Sequence, residues 1–188
     1  MQPAAPTPAN DQTPAGLLRR LAALVYDSLL LIAMYFITMA IVGMGALSGA
    51  AHQHAWVVLP GWYRHLVMMP SLFLVTYLFY GYFWHKHGQT LGMQTWRLQT
   101  RRADGQPLSW GDGLRRMLAA LVLPTLGGTV AWLVQGSLAA GVATLVGFFC
   151  NYFWMYTNPQ GLSWHDQLSR TRVWRVPAKS GRSRIFGD

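Results

Sequence analysis

Residues 21–47 read LAALVYDSLLLIAMYFITMAIVGMGAL, an apolar run of 27 residues broken by a single charge, Asp27. At about 1.5 Å per residue, a helix of this length crosses a hydrocarbon core of roughly 30 Å. Asp27 then lies about 9 Å inside the first helix, and it is the only charge between Arg20 and Arg64. A carboxylate at mid-span opposes insertion by roughly 2.5–3.5 kcal/mol, against roughly 4–7 kcal/mol from the Leu, Ile, Val and Phe of a run like this one. Insertion therefore tolerates Asp27 whatever its role, and two readings stand: a structural hydrogen-bond hub, or a relay for an ion or proton.

The rest of the chain extends the pattern. After a polar connection containing His52, His54 and Arg64, residues 66–84 form a second apolar run ending in Tyr77, Tyr80, Tyr82 and Trp84, an aromatic cluster of the kind found at membrane interfaces. A charged segment runs from His85 to Arg116, and no further charge appears until Asp166. That uncharged length requires two spans or one span with a re-entrant piece. Two spans, 117–134 and 138–157, are favoured because Gln135, Gly136 and Ser137 supply the one polar break; Pro124 with Gly127 and Gly128 predicts a kink in the third. Ala139, Ala143 and Gly147 repeat every four residues, a stripe that lets the fourth span approach a neighbour closely.

Charge gives the orientation. Of fifteen Lys and Arg, all but Arg64 fall before span one, between spans two and three, or after span four. Basic residues collect on the cytoplasmic side, so both termini are expected there and the number of spans is even. The expected fold is an all-α membrane protein of four transmembrane helices. Two stretches on the cytoplasmic side, TWRLQT at 95–100 and TRVWRV at 171–176, alternate like strands and would pair as a small sheet, while residues 88–97 read equally as an interfacial helix. Residues 1–16, with four prolines and one charge, read as a disordered tail, and 177–188 as a basic one. The first span is too long for a signal-peptide core and is expected to remain uncleaved.

Composition narrows the function. The net charge of +9 raises nucleic-acid binding, but the arginines flank apolar spans and form no separate basic groove, so nucleic acid is not expected. Cys150 stands alone, which excludes an intrachain disulfide and predicts a small buried hydrophobe. Asp166 follows His165, but further metal ligands at helical spacing are missing; the outer-loop histidines lie in a Gly/Ala segment and read as solvated. Neither a nucleophile with base and oxyanion donors nor a phosphate-cradling loop can be assembled. A non-enzyme without cofactor or metal is expected.

Three motifs carry a family resemblance. RRLAALVYD (19–27), GQTLGMQTWRLQTRRADGQPLSWGDGLRR (88–116) and LSWHDQLSRTRVW (162–174) resemble, in order, segments of the RDD family of membrane proteins. The resemblance covers about residues 17–176 and makes Arg20, Asp27 and Asp166 the Arg-Asp-Asp set. Met93 departs from a position commonly basic in the family, and Arg170 from one commonly Gly. The resemblance implies a compact helical domain in a bacterial cytoplasmic (inner) membrane, with transport the usual suggestion for the family.

Helix geometry then places the partners. Arg20 and Asp27 share a face but lie roughly 10 Å apart along the axis, so Arg20 is expected to reach outward to lipid phosphate. At the depth of Asp27 on antiparallel spans stand Asn151 and Tyr77 or Tyr80, which with Ser28 make the expected buried cluster; Arg116 is the nearest cation. Asp166 is expected to accept backbone hydrogen bonds or to pair with Arg97, Arg115 or Arg116. The expected function is transport of a cation, proton or small polar solute at Asp27. The alternative is a scaffold or assembly factor whose basic face binds anionic lipid headgroups or a partner protein, and a solute path through four short helices would call for a homo-oligomer or a membrane partner.

Overall fold

The computed structural model describes residues 13–47 and 59–176. Both tails beyond these bounds, and His52 and His54, lie outside the described residues. The first apolar run forms helix α1, Leu17–Leu47. Helix α2, Gly61–Lys86, follows and is wound more loosely over Arg64–Met68, where five residues form a π-turn. Helix α3 is short, Leu91–Thr95, and leads into strand β1, Leu98–Arg102. Helix α4, Trp110–Gln135, and helix α5, Ser137–Phe153, are separated by Gly136, so the polar break read from the sequence ends one span and starts the next. Helix α6, Trp164–Leu168, and strand β2, Thr171–Arg175, close the described chain.

Four of these helices, α1, α2, α4 and α5 with its last turn, are long and apolar enough to cross a membrane. Their outward faces carry exposed Leu18, Leu29, Phe36, Leu133, Leu138 and Tyr156, among others, a surface that meets the bilayer. The third span is longer than its apolar run. It begins at Trp110, where Ser109 and Asp112 cap each other reciprocally, so the polar turns before Met117 are already helical. Cys150, expected inside, is exposed on the apolar exterior instead. Among such surroundings a small apolar residue faces lipid as readily as protein.

The small-residue stripe serves contact between α4 and α5. A Cβ at Gly147 would lie 2.6 Å from the Leu123 carbonyl oxygen and 2.9 Å from Pro124 Cα. Gly127 and Gly128 face Ala143 and Thr144 in the same way. Replacing Gly147 by Ala is therefore expected to force the helices apart and cost about 1–3 kcal/mol, whereas Gly141→Ala, with open space around it, leaves the melting temperature of the detergent-solubilised protein unchanged.

At the basic end of the bundle, β1 and β2 pair antiparallel, with Leu98 opposite Arg175 and Arg102 opposite Thr171. The strands read at 95–100 and 171–176 thus exist, the first shifted to 98–102, because residues 91–95 form the helix that was the competing reading. Residues 13–16, expected to be part of a disordered tail, lie beside β2: Ala15 N–H donates to the Val173 carbonyl at 3.1 Å and Arg175 N–H to that of Thr13 at 3.0 Å. The open edge of β2 is thereby covered. Leu98, Thr100, Thr171 and Val173 point from the sheet into the bundle and are buried.

Candidate functional site

Two carboxylates fasten this extramembrane layer to the spans. Asp27 is 2 % exposed. Its Oδ2 accepts a hydrogen bond from the Thr90 hydroxyl at 2.5 Å and its Oδ1 from the Gly92 N–H at 2.9 Å. Thr90 Oγ1 also accepts from Met93 N–H as the cap of α3, so Asp27 holds the start of that helix against α1. Gly92 makes the approach feasible: a Cβ there would lie 2.2 Å from the Ala23 carbonyl oxygen.

Asp166 is fully buried and receives a guanidinium on each oxygen. Arg20 Nη1 donates to Oδ2, and Arg116 Nη1 donates to Oδ1 at 2.5 Å. Ser163 N–H adds a bond to Oδ2 at 3.1 Å in the capping box of α6. The remaining donors of Arg20 reach the Ala15 and Gly161 carbonyls, at 2.9 and 3.2 Å. Arg116 also donates to Thr171 Oγ1 and lies 5.4 Å from the Trp84 ring centre. Burial alone would push the Asp166 carboxyl up, but Arg116 and then Arg20 outweigh it and hold the group well below the usual carboxylate range.

His165 is neutral in this setting. Its N–H and Nδ1 both meet Asn151 Oδ1, at 3.1 and 2.8 Å, and Nε2 faces Ser163 Oγ at 3.2 Å; the amide oxygen can only accept, which assigns the proton to Nδ1. Burial, reinforced by Arg116, pushes the imidazole down to about 3 from 6.5. Acid stability follows. Below about pH 6.5 the unfolded chain binds a proton on His165 that the folded protein refuses, so stability falls with pH by up to about 1.4 kcal/mol per unit. Below about pH 4 the ionised Asp166 adds a loss of the same sign. Thermal unfolding in detergent is expected to show this decline between about pH 7 and pH 5, and His165→Asn, which keeps a donor toward Asn151, is expected to flatten it.

Several expected partners are placed differently. Arg20 does not reach outward: it is 6 % exposed, because residues 13–16 and 161–166 fold over the mouth of α1 and supply its acceptors, the Ala15 and Gly161 carbonyls and the Asp166 carboxylate. Asn151 bonds His165 and the Ala120 carbonyl, not Asp27. Tyr77 donates to the Trp110 carbonyl at 3.3 Å, and Ser28 to the Leu24 carbonyl at 2.8 Å. Asp27 is met instead by the segment after α2, which folds back against α1, so depth along the spans gives no sign of Thr90 or Gly92. Arg116 meets Asp166, one of the partners expected for it, while Arg97 and Arg115 are exposed. Trp84, read as part of an interfacial belt, is buried and stacks on Tyr80 at 4.9 Å.

An internal repeat points to the missed partners. LRRLAALV at 18–25 recurs as LRRMLAALV at 114–122, making Arg116 the counterpart of Arg20. GQTLGMQTWR at 88–97 aligns with GLSWHDQLSR at 161–170, matching Gly88 to Gly161, the helix caps Thr90 and Ser163, and Arg97 to Arg170. The backbone repeats too. Gly88 and Gly161 have φ of 67° and 62° ahead of the short helices, and Arg97 and Arg170 have φ of 54° and 52° where the chain passes from short helix to strand. Two arginines in equivalent positions thus converge on one aspartate.

Above these charges lies a cavity of about 440 Å³ between α1, α2, α4 and α5. Arg20, Asp27 and Arg116 line its lower end; Leu24, Leu72, Phe73, Leu121 and Phe148 line its walls. Tyr80 and Tyr152 also face it, and Tyr35, hydrogen-bonded to Thr76, lies at the far end. No curated protein and no solved structure matches the chain. The RDD family model, in contrast, matches residues 14–170, a stretch that holds both carboxylates, both arginines and all four spans, and the chain belongs to the RDD family.

Proposed function

We propose that this is a non-catalytic, transport-related membrane protein in which a small solute, cation or proton passes by Asp27. The observation that carries this reading is the cavity among the four spans, lined at one end by an intramembrane carboxylate and two arginines. Ionisable groups that face such a space inside a membrane bundle are the groups with which solute and proton paths are built. We also take the basic end as cytoplasmic and the membrane as a bacterial inner membrane, on the distribution of Lys and Arg. A path across the whole bilayer through so narrow a bundle would involve a second copy.

The test is flux in proteoliposomes. A pH gradient is expected to drive cation movement with the native chain, and Asp27→Asn is expected to lower the rate at least about tenfold, the range in which loss of a proton-transfer group is felt. Equal flux in both, or none in either, would sink the relay.

A scaffold role is the second reading. It is favoured by the engagement of both Asp27 oxygens by Thr90 and Gly92 and by the exposed Arg97, Arg102, Arg115 and Arg175 around the sheet. It predicts capture of anionic vesicles that weakens steeply with salt.

A further inference from the structure

Arg116 has donors left without partners among the described residues. It is 4 % exposed, and only its Nη1 has hydrogen-bond partners among the described residues, Asp166 and Thr171. The free edge, Nε and Nη2, belongs to a side chain that lines the cavity. A guanidinium edge is a planar fork of donors whose best match is a carboxylate. The Tyr80 and Tyr152 hydroxyls line the same space and likewise have no hydrogen-bond partner among the described residues. Three sets of donors therefore lack acceptors among the described residues at one end of a cavity whose walls beyond them are mostly apolar, with Tyr35 and Thr76 bonded to each other at the far end. Along α1 the cavity extends from Arg20 to Tyr35, about 22 Å at 1.5 Å per residue, and its volume falls in the range of organic-ligand sites rather than that of a bare ion.

Charge adds a condition. Arg20 and Arg116 balance Asp166 and an ionised Asp27. A buried carboxylate ligand would leave one uncompensated negative charge, which a low-dielectric site resists strongly. Uptake of one proton restores balance, and Asp27 is the group placed to take it. It faces Thr90 and Gly92 on α3, while Arg20 on α1, Tyr80 on α2, Arg116 on α4, Tyr152 on α5 and His165 on α6 line the cavity with it. His165 is fixed neutral by Asn151 and Ser163 and does not compete for that proton.

We propose that the cavity takes a single-chain amphiphilic carboxylate, its head on the free edge of Arg116 and the hydroxyls of Tyr80 and Tyr152, its chain along the apolar walls, and that its entry is coupled to protonation of Asp27. The proposal rests on the reading of this cavity as the solute site. The proton comes from the aqueous side together with the anion, so the occupied site carries no net charge.

The test is calorimetric titration of the full chain in nanodiscs with decanoate, using empty nanodiscs as the blank and buffers of different ionisation enthalpy to count protons. Saturable binding is expected, with uptake of about one proton and an affinity that rises up to about tenfold per unit fall in pH while decanoate stays ionised. Asp27→Asn is expected to bind without proton uptake and without that pH dependence. Tyr80→Phe and Tyr152→Phe are expected to weaken binding about three- to tenfold each and to leave the proton count intact. Absence of saturable binding, equal binding of methyl decanoate, or proton uptake that persists in Asp27→Asn would overturn the proposal. Asp27-dependent cation flux without decanoate binding would overturn the carboxylate assignment and leave the transport reading standing. Binding with the expected proton signature but no Asp27-dependent flux of any solute would support the assignment and overturn transport.

Discussion

Asp166→Asn is expected to cost about 3–5 kcal/mol, the largest effect of any single substitution in the chain. The carboxylate is fully buried and holds Arg20 on one oxygen and Arg116 on the other. The amide keeps the shape but removes the charge, leaving two guanidiniums that are 6 % and 4 % exposed with no anion between them. Two buried cations then repel with no carboxylate between them, and removal of one partner from a buried pair is the costly way to break it. A domain of this size has a stability on the order of 5–15 kcal/mol, so the variant is expected to lose much of its monodisperse peak in fluorescence-detected size exclusion and to melt far below the native chain. Asp104→Asn is the matching control. Asp104 pairs with Arg102 on the surface at 3.7 Å with both side chains about half exposed, and its loss is expected to cost under about 1 kcal/mol.

Gly92→Ala is expected to have the second largest effect, about 3 kcal/mol, at the upper end for overpacking. The added Cβ would stand 2.2 Å from the Ala23 carbonyl oxygen and 3.0 Å from Asp27 Cγ. Neither is the far end of a flexible side chain, so α3 itself has to move off α1. That movement breaks the Gly92 N–H bond to Asp27 and displaces the Thr90 hydroxyl. The variant should therefore lose stability and, on the proposed role of Asp27, flux together. Asp27→Asn retains an acceptor toward Gly92 and should lose flux with a smaller change in melting temperature, so the two variants separate positioning from protonation.

Most of the fold was legible because membrane crossing imposes long apolar runs. Leu21–Leu47, the break at Gly136 and the strand-like alternation in TRVWR each map onto an observed element. Helix α4 starts seven residues before the apolar run at Met117, since the polar turns from Trp110 carry no apolar signal, although Ser109 and Asp112 stand at capping-box spacing. The site was legible in its residues and not in its pairing. Arg20, Asp27 and Asp166 were singled out, but the partner of each charge comes from a distant segment. Arg20 meets Asp166 across nearly the whole chain, and Asp27 meets Thr90 and Gly92 from the segment after α2. Periodicity and depth describe helices one at a time and say nothing of a loop that folds back. The repeated LRR…LAALV was the signal that links Arg20 to Arg116, and with it the convergence on a shared aspartate becomes readable.

What unites these observations is a buried charge cluster that seals the extramembrane layer to the bundle and forms the floor of the cavity. The most direct measurement is a double-mutant cycle on Arg20→Met and Asp166→Asn, with each variant and the pair followed by thermal unfolding and by the monodisperse fraction recovered in detergent. Strong coupling is predicted: the double variant, which removes both charges of that pair, should be no less stable than Asp166→Asn alone, with an interaction energy of about 2 kcal/mol or more. Losses that simply add, as they do for residues not in contact, would contradict the pairing of Arg20 with Asp166 on which the floor of the cavity depends.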